Sequence, residues 1–443
     1  MRFIQTLKNI WTIDELRKRI LVTLLLVLIY RFGCYVVLPG ISTEAIDKLG
    51  SFTSSSGLMQ LLDMFSGGAF SQASIFALGI MPYITASIVI QLCGMILPSF
   101  QKMQREGESG RQKLNQYTRY LTVLILLLQA PAYLINLQIQ AQGAFELGFW
   151  NTIYLTIVLA SGSMFIMWLG ERITDRGIGN GISFIILVGI IARLPGALTY
   201  EFVTRLPGNA TGQGGLVMFI VEVILLFAVT IMAVLLVQGT RKVPVQYAKR
   251  IIGNRQYGGA RQYIPLKVNA AGVMPIIFAQ AIMFIPMTLA GFRGATGFWS
   301  TFTDINSFGY NFVFFILIVA FTYFYTAVTV RPTQMAEDMK RNNGFIPGVK
   351  PGKKTAEYLD LIMSRITLPG SIFLGIVAIL PAFARFFGIS QNFAQFFGGT
   401  SLLIMVGVVL DTLQQVESHL MMHHYDGLMK EGKIKGRTTG QAY

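Results

Sequence analysis

His419 and His423 stand four residues apart near the C-terminus, a spacing that sets two imidazoles on one helix face where they could share a metal ion. No third ligand is obvious beside them, and with His424 they belong to a tail that reads as solvated chain. The string RGIGNGIS (176–183) invites a second chemistry, because closely spaced glycines can cradle a phosphate. Such a loop follows a strand and opens a soluble helix, whereas here an apolar run follows, so these glycines are expected to permit a tight turn. Ion coupling is the third possibility, and it needs titratable groups at mid-membrane. The apolar runs beginning at 74, 121, 152, 270 and 309 contain no charged residue, and Glu222, Asp411 and Glu417 lie toward the ends of theirs. No catalytic residue, cofactor or metal is expected.

The elements that carry these residues follow from composition. Of 443 residues, 53% are hydrophobic and 13% charged, about half the charged share of a soluble domain. Ten apolar runs can be placed, at 20–38, 74–98, 121–139, 152–170, 182–200, 216–238, 270–290, 309–329, 367–387 and 396–417. Most reach the length of a tilted spanning helix. Arg193 and Pro195 make the fifth the weakest.

The formal charge of +15 is explained by where the basic residues lie. Thirty of the 36 Lys and Arg fall in segments 1–19, 99–120, 171–181, 239–269, 330–366 and 418–443, five on the other side, and Arg31 inside the first run. That asymmetry puts both termini in the cytoplasm and requires an even number of spans. Arg17-Lys18-Arg19 precedes an apolar run but no small-residue cleavage site follows, so a cleaved leader is not expected. Residues 1–19 read as an interfacial segment, with Phe3, Leu7, Ile10 and Trp11 on one face. Cys34 and Cys93 imply no disulfide framework.

Ten spans divide at the Gly/Asn-rich stretch 206–215 into an N-terminal half (20–205) and a C-terminal half (206–417), followed by the tail 418–443. Five spans per half mean that the second half enters the membrane inverted, with a pathway between the halves. The basic loops 239–269 and 330–366 are long enough to project as fingers and to dock a partner. Pro82 and Pro275 lie within apolar runs, where proline kinks a helix, and Gln91, Gln129 and Asn269 supply uncharged polar groups that could hydrogen-bond between helices or line a wet cavity. Within 57–73, Leu58, Leu61, Leu62 and Phe65 follow one helix face until Gly67 and Gly68 stop it. Roughly nine residues cover about 14 Å, half the thickness of a bilayer core.

Several long strings resemble one family: SIFALGIMPYITASIVIQL (74–92), MWLGERITDRGIGNGISFII (167–186), PLKVNAAGVMP (265–275) and FFGGTSLLI (396–404), together with MFSGGAFSQAS and EGESGR. These resemble the SecY/Sec61α family of protein-conducting channels, in order and over nearly the whole chain. The resemblance implies an all-α membrane protein of ten transmembrane helices, in two inverted five-helix halves around a central hourglass pore. The function it implies is passage of unfolded polypeptides across the membrane and sideways release of membrane segments through a lateral gate.

By the same resemblance, the short helix at 57–73 is a re-entrant plug; its own residues offer no strong anchor beyond apolar contact, which suits a segment that must be pushed aside. Ile80, Ile84, Ile182, Ile186, Ile277 and Ile404 map to an aliphatic pore ring, and a narrow apolar collar of that kind dewets and blocks ions. Pro82, Gln91, Gln129, Asn269 and Pro275 map to the gate. Arg250 and Arg255 in one loop and Lys350 in the other map to docking sites for the ribosome and the motor ATPase SecA. Lys350 stands where most relatives carry Arg, keeping the charge without the bidentate fork. SecE and a SecG-like subunit are the implied small partners, precursors the cargo, and the bacterial cytoplasmic membrane the location. The rival readings are an inverted-repeat small-solute transporter and an intramembrane enzyme.

Overall fold

A computed structural model of the chain describes residues 11, 13–41, 46, 49, 63–140, 148–206, 215–247, 250–252, 255–257, 261–280, 282–283 and 307–430. Helix α1 (Asp14–Gly33) opens with Asp14 and Glu15 at its positive end and closes with Arg31 in its last turn, as the macrodipole favours. Leu24, Leu25, Leu28 and Phe32 stand exposed on it, an apolar surface that lipid covers.

The expected span over 74–98 is helical only from Met81. Residues 74–80 are turns, because Ile75 and Leu38 spend their backbone N–H groups on the carbonyls of Val36 and Ala73, and Gly79 takes a φ of +57°. Helix α2 (Met81–Ile96) therefore starts with Pro82 in its first turn. There proline's missing N–H costs no hydrogen bond, so the kink expected at Pro82 is absent. Leu97 precedes Pro98 and is extended (ψ 123°), and the chain bends by 101° into α3 (Pro98–Arg105).

Helices α4 (Glu108–Gln140), α5 (Phe149–Arg176) and α6 (Gly181–Thr204) complete the N-terminal membrane segments. Despite Arg193 and Pro195, α6 is continuous. On α5, Leu155, Leu159, Gly162, Ile166, Leu169 and Ile173 form a buried stripe at helical spacing. Gly162 lies under the Ile75 carbonyl, where a Cβ would sit 2.3 Å from that oxygen.

The glycine string does make a tight turn. Gly179 has φ +81°, Asn180 Oδ1 accepts the N–H groups of Ile182 and Ser183, and Thr23 Oγ1 accepts that of Ile178. A Cβ on Gly181 would stand 2.0 Å from the Gly170 carbonyl oxygen, so α5 and α6 touch backbone to backbone. Gly181→Ala is expected to cost about 1–3 kcal/mol through overpacking. Gly196→Ala, with nothing within 4 Å, should be neutral. Thermal unfolding of the two variants in detergent checks this, and equal melting temperatures would contradict it.

Helix α7 (Gly215–Gln238) is apolar along its length, with Glu222 its sole charged residue. Beyond it the chain leaves the all-helical plan. Strands β1 (Thr240–Tyr247), β2 (Arg250–Ile252), β3 (Arg255–Tyr257) and β4 (Arg261–Lys267) form antiparallel pairs, β1 with β4 and β2 with β3. A helix, α8, follows at 274–280, with Pro275 in its first turn, so the kink expected there is also absent. Then come α9 (Phe308–Thr329), α10 (Pro332–Arg341), β5 (Gly344–Phe345), α11 (Lys353–Phe386), the short α12 (Gln391–Ala394) and α13 (Gly399–Lys430).

Among the described residues, seven helices are long and apolar enough to cross a membrane, eight if α2 and α3 count as one bent span. The expected ten included α1, whose N-terminal end carries five charges, and the run 270–290, of which residues 281 and 284–290 lie outside the described residues. The chain divides into two compact units, Met1–Arg193 with Val408–Tyr443, and Leu194–Gly407.

Candidate functional site

Of the expected plug residues, Leu58, Leu61 and Leu62 lie outside the described residues. Asp63–Phe65 form the last helical turn, with Phe65 buried, and Gly67 (φ +67°) and Gly68 (φ +95°) end it as their sequence implied. Gly67 is pressed against a spanning helix, since a Cβ there would sit 2.9 Å from Gly189 Cα of α6.

The expectation that apolar contact alone holds this segment is overturned. Tyr30 Oη donates to the Ser66 carbonyl (3.2 Å), Arg31 Nη1 to the Gly67 carbonyl (2.8 Å) and Tyr133 Oη to the Phe70 carbonyl (3.1 Å). Arg193 of α6 pairs with the Asp63 carboxylate, and its Nη2 also donates to Ser71 Oγ (3.0 Å). Asp63 Oδ1 accepts the Ser71 N–H (2.8 Å), which closes the loop on itself. The physical reason is that a glycine turn points carbonyls outward, and carbonyls in a dry interior need donors. A buried carboxylate likewise needs a cation.

Sequence reasoning missed Tyr30, Arg31, Asp63, Tyr133 and Arg193 as anchors. A signal was available, because Asp63 is the sole charged residue between Lys48 and Lys102, and Arg193 is the lone charge in its apolar run.

The isoleucines mapped to the ring are distributed over both units. Ile80 is buried at the end of the turn before α2, and Ile84, half-buried, donates its N–H to the Ile80 carbonyl at 3.1 Å. Neighbouring Gly79 faces the anchored loop, since a Cβ there would lie 3.4 Å from Ser66. Ile186 is buried on α6, whereas Ile182 sits one turn earlier, with its side chain against Gly170 at the α5–α6 turn. In the second unit Ile277 is half-buried on α8 and Ile404 buried on α13. Val273 lies against Gly407, so those two helices meet near the pair.

Two of the three polar residues mapped to the gate make hydrogen bonds near themselves in the chain. Gln91 Nε2 donates to Ser87 Oγ on its own helix (3.3 Å), and Gln129 is half-buried on α4. Asn269 is buried, donates Nδ2 to the Gly272 carbonyl (3.0 Å), and leaves Oδ1 without a partner.

The two basic loops are one body rather than separate fingers. Strand β5, from the second loop, pairs with β1 of the first through Gln246↔Phe345 and Tyr247↔Gly344, giving the sheet order β4-β1-β5. Val243, Val245 and Leu266 pack with Met339, Ile346, Leu359 and Met363 in a common core. Arg250 and Arg255 lie on the β2–β3 hairpin, and Lys350 is exposed ahead of α11, its carbonyl accepting from Thr355 Oγ1 (2.9 Å).

Glu222 belongs to a buried charged cluster in the second unit. Arg205 donates Nε to Glu201 Oε1 (3.1 Å), and its Nη2 reaches Glu222 Oε1 (2.7 Å) and the Gly388 carbonyl (2.9 Å). Ser390 N–H donates to Glu201 Oε2 (3.2 Å). This cluster joins the ends of α6 and α11 to the first turns of α7.

The chain is similar to known proteins along nearly its full length. The SecY family model matches residues 74–413. The protein translocase subunit SecY of Streptomyces galbus is 41% identical over 432 residues, covering 94% of this chain and 97% of the relative. That of Chlamydia muridarum is 40% identical over 454 residues, covering 98% and 99%. A solved structure described as "The structure of a protein conducting channel" superposes with a TM-score of 0.61 at 17% identity, covering 91% of this chain and 92% of that one. A second, of a SecY protein whose plug domain is said to stabilise the closed state, gives 0.60 at 18% identity over the same shares. Those two likenesses speak for the fold, and the sequence matches for the family. The chain belongs to the SecY family.

Proposed function

We propose that this chain is the central subunit of a Sec-type channel, passing unfolded precursors across the bacterial cytoplasmic membrane and releasing apolar segments sideways into lipid. The observation that carries the reading is the segment 63–80, folded back against α1, α4, α5 and α6 with Ile80 at its end. It lies in a chain about 40% identical to translocase subunits. Backbone at membrane depth is tolerated in non-helical form only inside protein or beside a wet cavity, and a pore provides one.

In this reading Leu58–Gly68 is the plug, and Ile80, Ile84, Ile186, Ile277 and Ile404 form the collar, with Ile182 behind it. Pro82, Gln91, Gln129, Asn269 and Pro275 flank the lateral gate. The joined loops with Arg250, Arg255 and Lys350 receive the ribosome and SecA. SecE and a SecG-like subunit complete the complex, both termini face the cytoplasm, and the driving force comes from the partners. A cysteine at Ile84 or Ile404 should crosslink to a precursor arrested in transit. No crosslink alongside normal secretion would refute the pore assignment.

A further inference from the structure

We propose that Asp63 and Arg193 form a voltage-sensitive latch, in which Asp63 is the charge through which the membrane potential acts on the plug. The proposal rests on the plug reading above and adds to it what sets the ease of release.

Asp63 is the only ionised side chain between Lys48 and Lys102, so a displaced plug carries one charge with it. That carboxylate is buried, paired to Arg193, and fixed in direction by the Ser71 N–H on Oδ1. Arg193 cannot follow it, because it sits inside the continuous helix α6. Arg31 also stays behind, because it sits in the last turn of α1 and is held there by Tyr35, whose hydroxyl accepts from Nη2 (3.3 Å) and whose ring centroid lies 5.6 Å from its guanidinium. Opening therefore separates one mobile anion from two fixed cations.

The pair lies within the field. Arg193 is twelve residues along α6 from Gly181 at the cytoplasmic turn, which places it about 18 Å up a core of roughly 30 Å. Moving Asp63 from there to the outer surface crosses about two fifths of the potential. A cytoplasm-negative potential drives an anion outward, so it favours release. At about 2.3 kcal/mol per charge per 100 mV, the bias is roughly fivefold per 100 mV. Asp63 is thus a positioning residue that holds the seal at rest and loosens it when the membrane is energised.

The test is single-channel recording on the purified complex in planar bilayers, with the potential stepped in both directions. Wild type should open about fivefold more often per 100 mV, cytoplasmic side negative. Asp63→Asn keeps an oxygen for the Ser71 N–H but carries no charge; it should open more at zero potential and lose the slope. Asp63→Glu should keep the slope. A slope unchanged in Asp63→Asn would overturn the latch, and so would a slope lost in Asp63→Glu. Secretion by each variant shows that it has folded. Deletion of Leu58–Phe65 separates the two ideas. A leaking deletion beside a voltage-dependent Asp63→Asn removes the latch alone, whereas a deletion that does not leak removes the plug reading.

Discussion

Deleting Leu58–Phe65 should leave secretion largely intact while raising ion leak about a hundredfold. The deletion removes Asp63 from Arg193 and shifts Ser66 and Gly67 away from Tyr30 and Arg31. Three such hydrogen bonds, at about 1 kcal/mol each in net terms, hold the segment by roughly 3 kcal/mol, which in the plug reading is two decades in open population. In the plug reading transport should survive, because the passing chain must displace the same segment. The measurements are ion flux through proteoliposomes and export of a reporter precursor. Lost export without leak would show that the segment builds the pore instead of sealing it.

Replacing Arg205 by Ala should destabilise the second unit by about 3–5 kcal/mol, the usual cost of breaking a buried ion pair. The guanidinium is the cation that the structure places between the carboxylates of Glu201 and Glu222, both buried. Without it two anions face each other in apolar surroundings. The Gly388 carbonyl loses a donor as well. Thermal unfolding in detergent should show a sharp fall for Arg205→Ala. More than half should return when Glu201→Gln and Glu222→Gln are added, since that removes the uncompensated charge. An unchanged melting temperature for the single variant would mean the cluster contributes nothing to stability.

Membrane helices were legible in the sequence because spanning a bilayer demands long apolar runs. The runs from 121 to 238 became α4 to α7, although α4 starts thirteen residues earlier, at Glu108, and α5 runs six residues further, to Arg176, over polar sequence. The start of α2 was not, because Ser74–Ile80 are as apolar as a helix and only their pairing with Val36 and Ala73 makes them turns. Periodicity cannot tell an apolar turn from an apolar helix. The glycine stop at Gly67 and Gly68 was readable, since positive φ is a local demand. Its anchors were not, because Tyr30, Tyr133 and Arg193 lie 36 to 130 residues away from their partners along the chain. Likewise, Val243 and Val245 read as a short alternation inside a basic loop, and nothing local announces that Gly344 and Phe345 complete their sheet.

That sheet makes the two basic loops a single handle on α11. Leu359 and Met363, in the first turns of a 34-residue helix, lie in the same core as β1 and β4. The helix is about 51 Å long, and just past its far end Arg205 holds Gly388. A rod gripped at one end and pinned at the other does not slide along its axis when pushed. It swings, and the travel is greatest at the grip and least at the pin. Force applied at either loop thus reaches the membrane as torque.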